Sequence, residues 1–287
     1  MVSARARREQ VDYAVGRGVS VRRSCALLQV SRSALGYTSR LVARDAELSV
    51  ALQRIAARHP RYGHRFAWAL VRRDGLHVNR KRVRRVWRAL GLQATRKKRR
   101  KIRTGQPRVL TPTGPNQVWA YDFVHDACAN GQTLKCLTLV DEWTRECLAI
   151  EVASSLDAAR VIAVLERLFA VYGAPHVLRS DNGPEFIARA PKVWVMMRHS
   201  DTATIEPGKP WQNSSVESFN GTFRGECLDR EWFTNLREAR IVIEQWRWEY
   251  NTQRPHSSLA YRTPAEVGRE TRKIEVAAHP TTTASLS

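Results

Sequence analysis

The sequence predicts an α/β domain behind an all-helical, strongly basic front. Two observations carry that prediction. The first is charge: the 287 residues hold 48 Lys and Arg against 27 Asp and Glu, a net of +21. Residues 1–110 hold 29 of those cations and 5 of the anions, whereas residues 111–287 hold 19 and 22. An excess concentrated in this way calls for a polyanion, nucleic acid first of all; a small acidic metabolite does not require it. The second is texture. From Asn116 onward, short apolar strands alternate with amphipathic helices, which is the layer pattern of an α/β fold. The length suggests roughly two domains.

Taken in order, residues 11–37 read as a small helical unit. Two short helical patterns flank Val30-Ser31, with Ser31 as an N-cap, so a helix-turn-helix and an ordinary helical hairpin are both open readings. Leu48, Ala51, Leu52 and Ile55 form a helical stripe that His59-Pro60 ends. Phe66 to Arg73 is a second helix, stopped by Asp74-Gly75. Asn79 caps a third, Arg80 to Leu90, with Val83, Val86, Trp87 and Leu90 on one face and Gly91 after it. Its other face carries Arg80, Lys81, Arg84, Arg85 and Arg88. A solvated basic face is the ordinary reading of one such helix. The adjacent run Arg96, Lys97, Lys98, Arg99, Arg100 and Lys101 turns it toward DNA phosphates. Gly105, Pro107, Pro112, Gly114 and Pro115 mark a linker.

Behind the linker, Val118–Val124, Leu134–Val140 and Glu146–Val152 predict an antiparallel three-strand meander. A helix over Asp157–Tyr172, with Val161, Val164, Leu165 and Leu168 inward, leads to a strand His176–Ser180. A helix over 184–198, a strand at 203–205 and helices over 215–228 and 235–249 complete the prediction. The boundaries expected are 1–44 for the helix-turn-helix-like segment, 45–94 for a helical DNA-binding domain and 95–115 for the linker. The core with its C-terminal helices spans 116–268, and 269–287 is a disordered tail.

The longest run without a charged residue is thirteen residues, Val109 to Tyr121. A membrane span needs roughly 20 apolar residues, so none is expected. The charged start, with no apolar core after it, predicts no secretory signal. Five scattered cysteines without Cys-x-x-Cys spacing argue for a reducing cytoplasm and against a zinc finger.

Three acids stand out. Asp122 lies inside an apolar strand, where a carboxylate needs a cation, a metal or a proton; an edge-strand Asp facing water is the alternative. Asp181 ends a strand, where open α/β sheets place their sites, but Asp-Asn-Gly with Pro184 behind it is also turn chemistry. Glu217 shares a helical face with Asn220, Gly221 and Arg224, while Val216, Phe219 and Phe223 form another; Ser214 and Glu217 also fit a capping box. Asp126 and Asp141 are further core acids, Asp141 reading as turn and ion-pair structure.

Fifty-eight residues separate Asp122 from Asp181, and 35 separate Asp181 from Glu217. That spacing resembles the DDE site of the retroviral-integrase superfamily. The stretches WAYDFVHD, SDNGPEF, EPGKPWQNSSVESFNGTFRGECLD and YNTQRPHSSLAYRTPAE resemble the OrfB-type transposases of bacterial insertion sequences. ALLQVSRSALGY, HPRYGHR and VNRKRVRRVWRALGLQ extend the resemblance over about residues 11–268. It implies a ribonuclease-H-like core with a mixed five-stranded sheet and flanking helices. It also implies two Mg²⁺ or Mn²⁺ ions held by Asp122, Asp181 and Glu217, and cleavage and strand transfer on double-stranded DNA. Carboxylate oxygens suit those hard ions rather than zinc. The resemblance further implies Arg224 on DNA phosphate, a homo-oligomer bridging two element ends, and an OrfA-type partner or fusion. Asn182, Asn213 and Asn220 are candidate supporting or DNA-contact residues, with structural capping as the alternative. Two departures stand out: Gln212-Asn213-Ser214 replaces the usual Gln-Asn-Gly, and the retroviral His-His-Cys-Cys zinc domain is absent. The signature Tyr250, Asn251, Arg254, Pro255, His256 has no chemical role derivable from sequence. A non-enzymatic DNA-binding regulator and a nuclease that hydrolyses without joining are the rival readings.

Overall fold

The computed structural model describes residues 3–37, 41–93, 111–180, 201–204 and 214–278. The basic run Arg96–Lys101, Asp181, Asn182, Asn213 and the helix expected over 184–198 lie outside the described residues. The chain divides into two compact units, residues 1–51 and 52–287.

In the first unit, α1 (Ala4–Gly16) and α2 (Val21–Leu27) start at serines. Ser3 Oγ accepts from the Ala6 N–H and Ser20 Oγ from the Arg23 N–H, each satisfying a donor the helix start leaves over. The turn between helices therefore falls at residues 17–20, not at Val30-Ser31. After Ser31 there is one 3-10 turn, Arg32–Ala34. Gln29 takes up a left-handed φ of 51° before it, and among the described residues only this 3-10 turn stands where the second helix was expected. Short α3 (Leu41–Arg44) and the start of α4 (Ala46–Arg58) complete this unit.

In the second unit, α5 (His64–Arg73) begins two residues before its predicted start and stops at Gly75, whose φ is +90°. The start of α6 (Arg80–Ala89) is fixed by Asn79, whose Oδ1 accepts from the Lys81 N–H at 2.8 Å. Val83, Val86 and Trp87 are buried as predicted, and Arg80, Lys81, Arg84, Arg85 and Arg88 are exposed.

The sheet has the order β3-β2-β1-β4-β5: β1 (Val118–Ala127), β2 (Thr133–Asp141), β3 (Cys147–Ala153), β4 (Val177–Ser180) and β5 (Asp201–Thr204). The first three strands form the predicted antiparallel meander; β4 and β5 join parallel to β1 and to each other. Side chains alternate across a strand, so β1 divides its residues between two cores. Trp119 and Tyr121 pack with α7 (Ala158–Tyr172), through Val161, Val164, Leu165 and Leu168. Ala120 and Val124 pack on the opposite face with α8 (Ser214–Phe223) and α9 (Leu236–Thr252). The predicted single helix over 215–228 is α8 followed by one π turn, Arg224–Leu228.

β3 is an edge strand whose outer backbone groups need partners. Helix α9 supplies them. Asn251 accepts from the Cys147 N–H and donates to its carbonyl, both at 2.9 Å. Arg247 donates to the same carbonyl at 3.0 Å, and Arg240 to Val152 O at 2.9 Å. Part of the 250–256 signature is thus an edge cap.

Residues 269–278 of the expected tail are helical, since α10 runs Pro264–Ala278; the rest of it lies outside the described residues. Arg272 makes a two-pronged ion pair with Glu146, at 3.0 and 3.1 Å. Glu146 crowds Gly268 so closely that any Cβ there would clash. No helix among the described residues is long and apolar enough to cross a membrane.

Candidate active site

Asp122 sits mid-strand, on the β1 face that α8 covers, between buried Ala120 and Val124. Thr138 lies directly across from it on β2 and is fully buried. Together they form a polar island in an apolar face. Every atom of that island finds a partner, as burial demands. Asp122 Oδ1 accepts from the Phe123 N–H at 2.7 Å, and its Oδ2 accepts from Asn220 Nδ2 at 2.8 Å. The Thr138 hydroxyl, with one proton to give, lies 2.9 Å from Asn220 Oδ1 and 3.1 Å from the Asp122 carbonyl, the shorter contact being to Asn220. It thereby fixes which end of the Asn220 amide faces Asp122.

Helix α8 carries Glu217 one turn before Asn220. Val216, Phe219 and Phe223 are buried against the sheet, as their periodicity predicts, and Glu217 is left exposed at the rim. Asn220, one turn further on, is the residue that reaches Asp122. Partial burial pushes the Glu217 carboxyl above its ordinary range. The capping-box reading rests on the Ser214 side chain, which lies outside the described residues.

Strand β4 ends at Ser180, the residue before Asp181, and runs parallel to β1 with Ala120 opposite Arg179. Arg179 is buried and pairs at 2.7 Å with Glu142, which is wholly buried. Asp141 accepts the Asn116, Trp143 and Thr144 N–H groups at 2.7–2.9 Å, the turn role read from sequence. Asp126 lies four residues beyond Asp122, about 13 Å along a strand, too far to share one small ion. It faces Arg224 instead: Arg224 donates to the His125 carbonyl at 2.8 Å and stands 3.6 Å from Asp126 Oδ2. Among the described residues no group of three His, Cys, Asp or Glu is arranged to hold a metal ion.

The α6 face is strongly positive. His64 is held below its ordinary pKa by burial first, then by Arg84, Arg65, Arg88 and Arg80 around it. Arg80 is set apart from the other α6 cations, since its guanidinium lies over the Trp68 and Tyr261 rings at 4.9 and 5.5 Å.

Sequence reasoning missed a second constellation. Arg254 makes a two-pronged ion pair with Glu226 of the π turn, both contacts 2.8 Å, with each side chain 13% exposed. Its guanidinium also lies over Phe66, Tyr62 and Tyr250 at 5.2, 5.7 and 5.7 Å. His256 meets the Tyr250 ring edge-on at 4.8 Å, and burial beside Arg254 and Arg145 lowers it to about 3. The sequence marks Tyr250, Arg254 and His256 as a signature without a role, and the stretches HPRYGHR and YNTQRPHSSLAYRTPAE join aromatics to arginine; the link to Glu226 is not legible there.

The chain matches known proteins along most of its length. Residues 112–211 and 198–264 match two family models of the integrase core domain, and residues 43–100 match an HTH-like domain. The uncharacterized 31.7 kDa protein of insertion element IS407 from Burkholderia multivorans is 42% identical over 249 residues, 86% of this chain and 90% of that protein. The uncharacterized 39.2 kDa protein of IS476 from Xanthomonas euvesicatoria is 39% identical, covering 86% and 72%. The transposase for IS629 from Shigella sonnei is 26% identical, covering 78% and 79%. A chain in the simian T-cell lymphotropic virus intasome, solved with PP2A regulatory subunit B56 gamma, shares the fold at a TM-score of 0.50 and 16% identity, over 67% of each chain. With an integrase core, an HTH-like domain and relatives of this closeness, the chain belongs to the OrfB-type transposases of insertion sequences.

Proposed function

We propose that this chain cuts the ends of its insertion element and joins the freed 3′-OH to target DNA, using Asp122, Asp181 and Glu217. One observation supports this most: Asn220, three residues after Glu217 on α8, donates to Asp122 on β1. That bond sets the helix turn that carries Glu217 against the strand that carries Asp122, which supports a shared site for the two carboxylates. The donor set fits hard divalent cations. It offers carboxylate oxygens only, and Glu217 lies where burial disfavours its charge, so a cation there favours the ionised form. Two Mg²⁺ or Mn²⁺ ions held by the three acids would supply the Lewis acidity that activates the attacking oxygen and stabilises the leaving one.

The chain's own residues do the rest. Asn220 ties up one Asp122 oxygen and keeps the carboxylate in one orientation, with Thr138 holding the amide. Arg224, exposed at the end of β1, takes a DNA phosphate near the cut. Lys81, Arg84, Arg85 and Arg88, with Arg80 and the Arg96–Lys101 run, hold the flanking duplex by its phosphates. Asn182 and Asn213 support the acids or touch DNA. Work on two element ends makes the protein at least a dimer on DNA, in the bacterial cytoplasm, with an OrfA-type partner or fusion.

The test is a labelled duplex of the element's end in Mn²⁺. Wild type is expected to give a nick and a longer joined product. Glu217→Gln and Asp122→Asn should lose both, with duplex affinity within a few fold of wild type. Joined product retained by Glu217→Gln overturns the assignment. A nick never followed by joining reduces the activity to hydrolysis.

A further inference from the structure

Arg254 stands where three parts of the second unit meet. Tyr62 and Phe66 belong to the helical segment that carries the α6 basic face. Tyr250 belongs to α9. Glu226 belongs to the π turn, which begins with Arg224, and Arg224 in turn grips the end of β1, the strand of Asp122. A surface ion pair would hold such parts loosely. This one is buried, two-pronged and surrounded by rings, so its geometry leaves the guanidinium one position. A π turn inside a helix is a local irregularity that packing must hold in place. Arg254 holds it from the outside through Glu226, while Arg61 packs against Gly225 and pairs with Asp229 at its end.

We propose that Arg254 is a positioning residue for strand cleavage and joining. It locks the π turn, and Arg224 with it, in register with α5–α6, and so sets where DNA held by α6 meets the catalytic acids. The inference rests on the function proposed above. Holding α5–α6 to the core for stability alone is the reading it must beat, and that reading predicts no change in where the DNA is cut.

The experiment uses the full chain as wild type, Arg254→Lys and Glu226→Gln, with the labelled end duplex. Lysine keeps the charge but cannot make the fork to Glu226 or cover the rings. Glu226→Gln leaves Arg254 on its rings and removes only the carboxylate, so it serves if the lysine variant fails to fold. Duplex affinity should stay within about twofold, as α6 is untouched. Turnover at saturating duplex should fall by about tenfold, and nicks should scatter over neighbouring phosphates. Unchanged turnover and nick position, or a loss that tracks affinity or folded fraction, overturns the proposal. Hydrogen exchange gives a readout independent of cutting. Duplex binding should protect residues 224–228 in wild type and not in the variants. Equal protection in all three refutes the coupling. Protection lost in the variants, in a chain that Glu217→Gln shows not to use its acids, upholds the coupling while the proposed function fails.

Discussion

The arginines of α6 and those of the C-terminal half are the same residue put to opposite uses. On α6, Arg84 and Arg88 stand exposed around His64 and raise the local positive potential. In the core, Arg179, Arg254 and Arg272 each end on a carboxylate: Glu142, Glu226 and Glu146. The first set is matched to charge that arrives from outside. The second is neutralised within the fold and contributes nothing to the field that draws DNA. A net charge therefore only counts cations, and position separates those exposed on α6 from those paired within the fold.

That contrast can be broken most sharply at Arg179. Replacing it with Ala strands a wholly buried Glu142, and losing one partner of a buried pair costs about 3–5 kcal/mol. Urea unfolding should show that loss with no change in the salt dependence of DNA binding. A loss below about 1 kcal/mol would mean that the pair is replaceable.

His256 gives the next effect. Its folded pKa, lowered to about 3, lies below the ordinary 6.5, so the unfolded chain binds the proton more readily. Its contribution to stability is present above pH 6.5 and is lost as pH falls from there toward 3. His256→Gln should flatten that part of the stability–pH curve; an unchanged slope would place the acid sensitivity elsewhere.

The smallest stability effect belongs to α6. Arg84→Ala and Arg88→Ala should each change stability by about 0.5 kcal/mol or less, as exposed substitutions do. Each should lower the slope of log affinity against log salt by about 1. A stability loss with the slope intact would place these arginines with Arg179 and Arg254, as structure rather than DNA contacts.

What was legible beforehand lay within a few residues of itself. The inward stripes of α6 and α7, the Asn79 cap and the meander follow from periods of 3.6 and 2 and from caps reaching two or three residues. So does the split of α8 into a buried apolar face and an exposed Glu217. The Asp141 turn was legible for the same reason. The turn misplaced at Val30-Ser31 is the counterexample: the 3-10 piece after it is too short for periodicity to distinguish from a helix.

The sequence by itself determined the basic front, the α/β core and which acids were candidates, because charge count, periodicity and spacing are written along the chain. Only the tertiary structure decided that Asn220 and Thr138 hold Asp122, that Asp126 belongs to Arg224 and that Arg254 joins α5 to the π turn. It also made the start of the expected tail, to Ala278, part of a helix fastened to Glu146. Those decisions depend on pairs such as Arg272 and Glu146, 126 residues apart, or Arg58 and Glu249, 191 apart. Such pairs are set by which faces the sheet and helices bury against each other, and a polar residue carries no local mark of the partner that burial will give it.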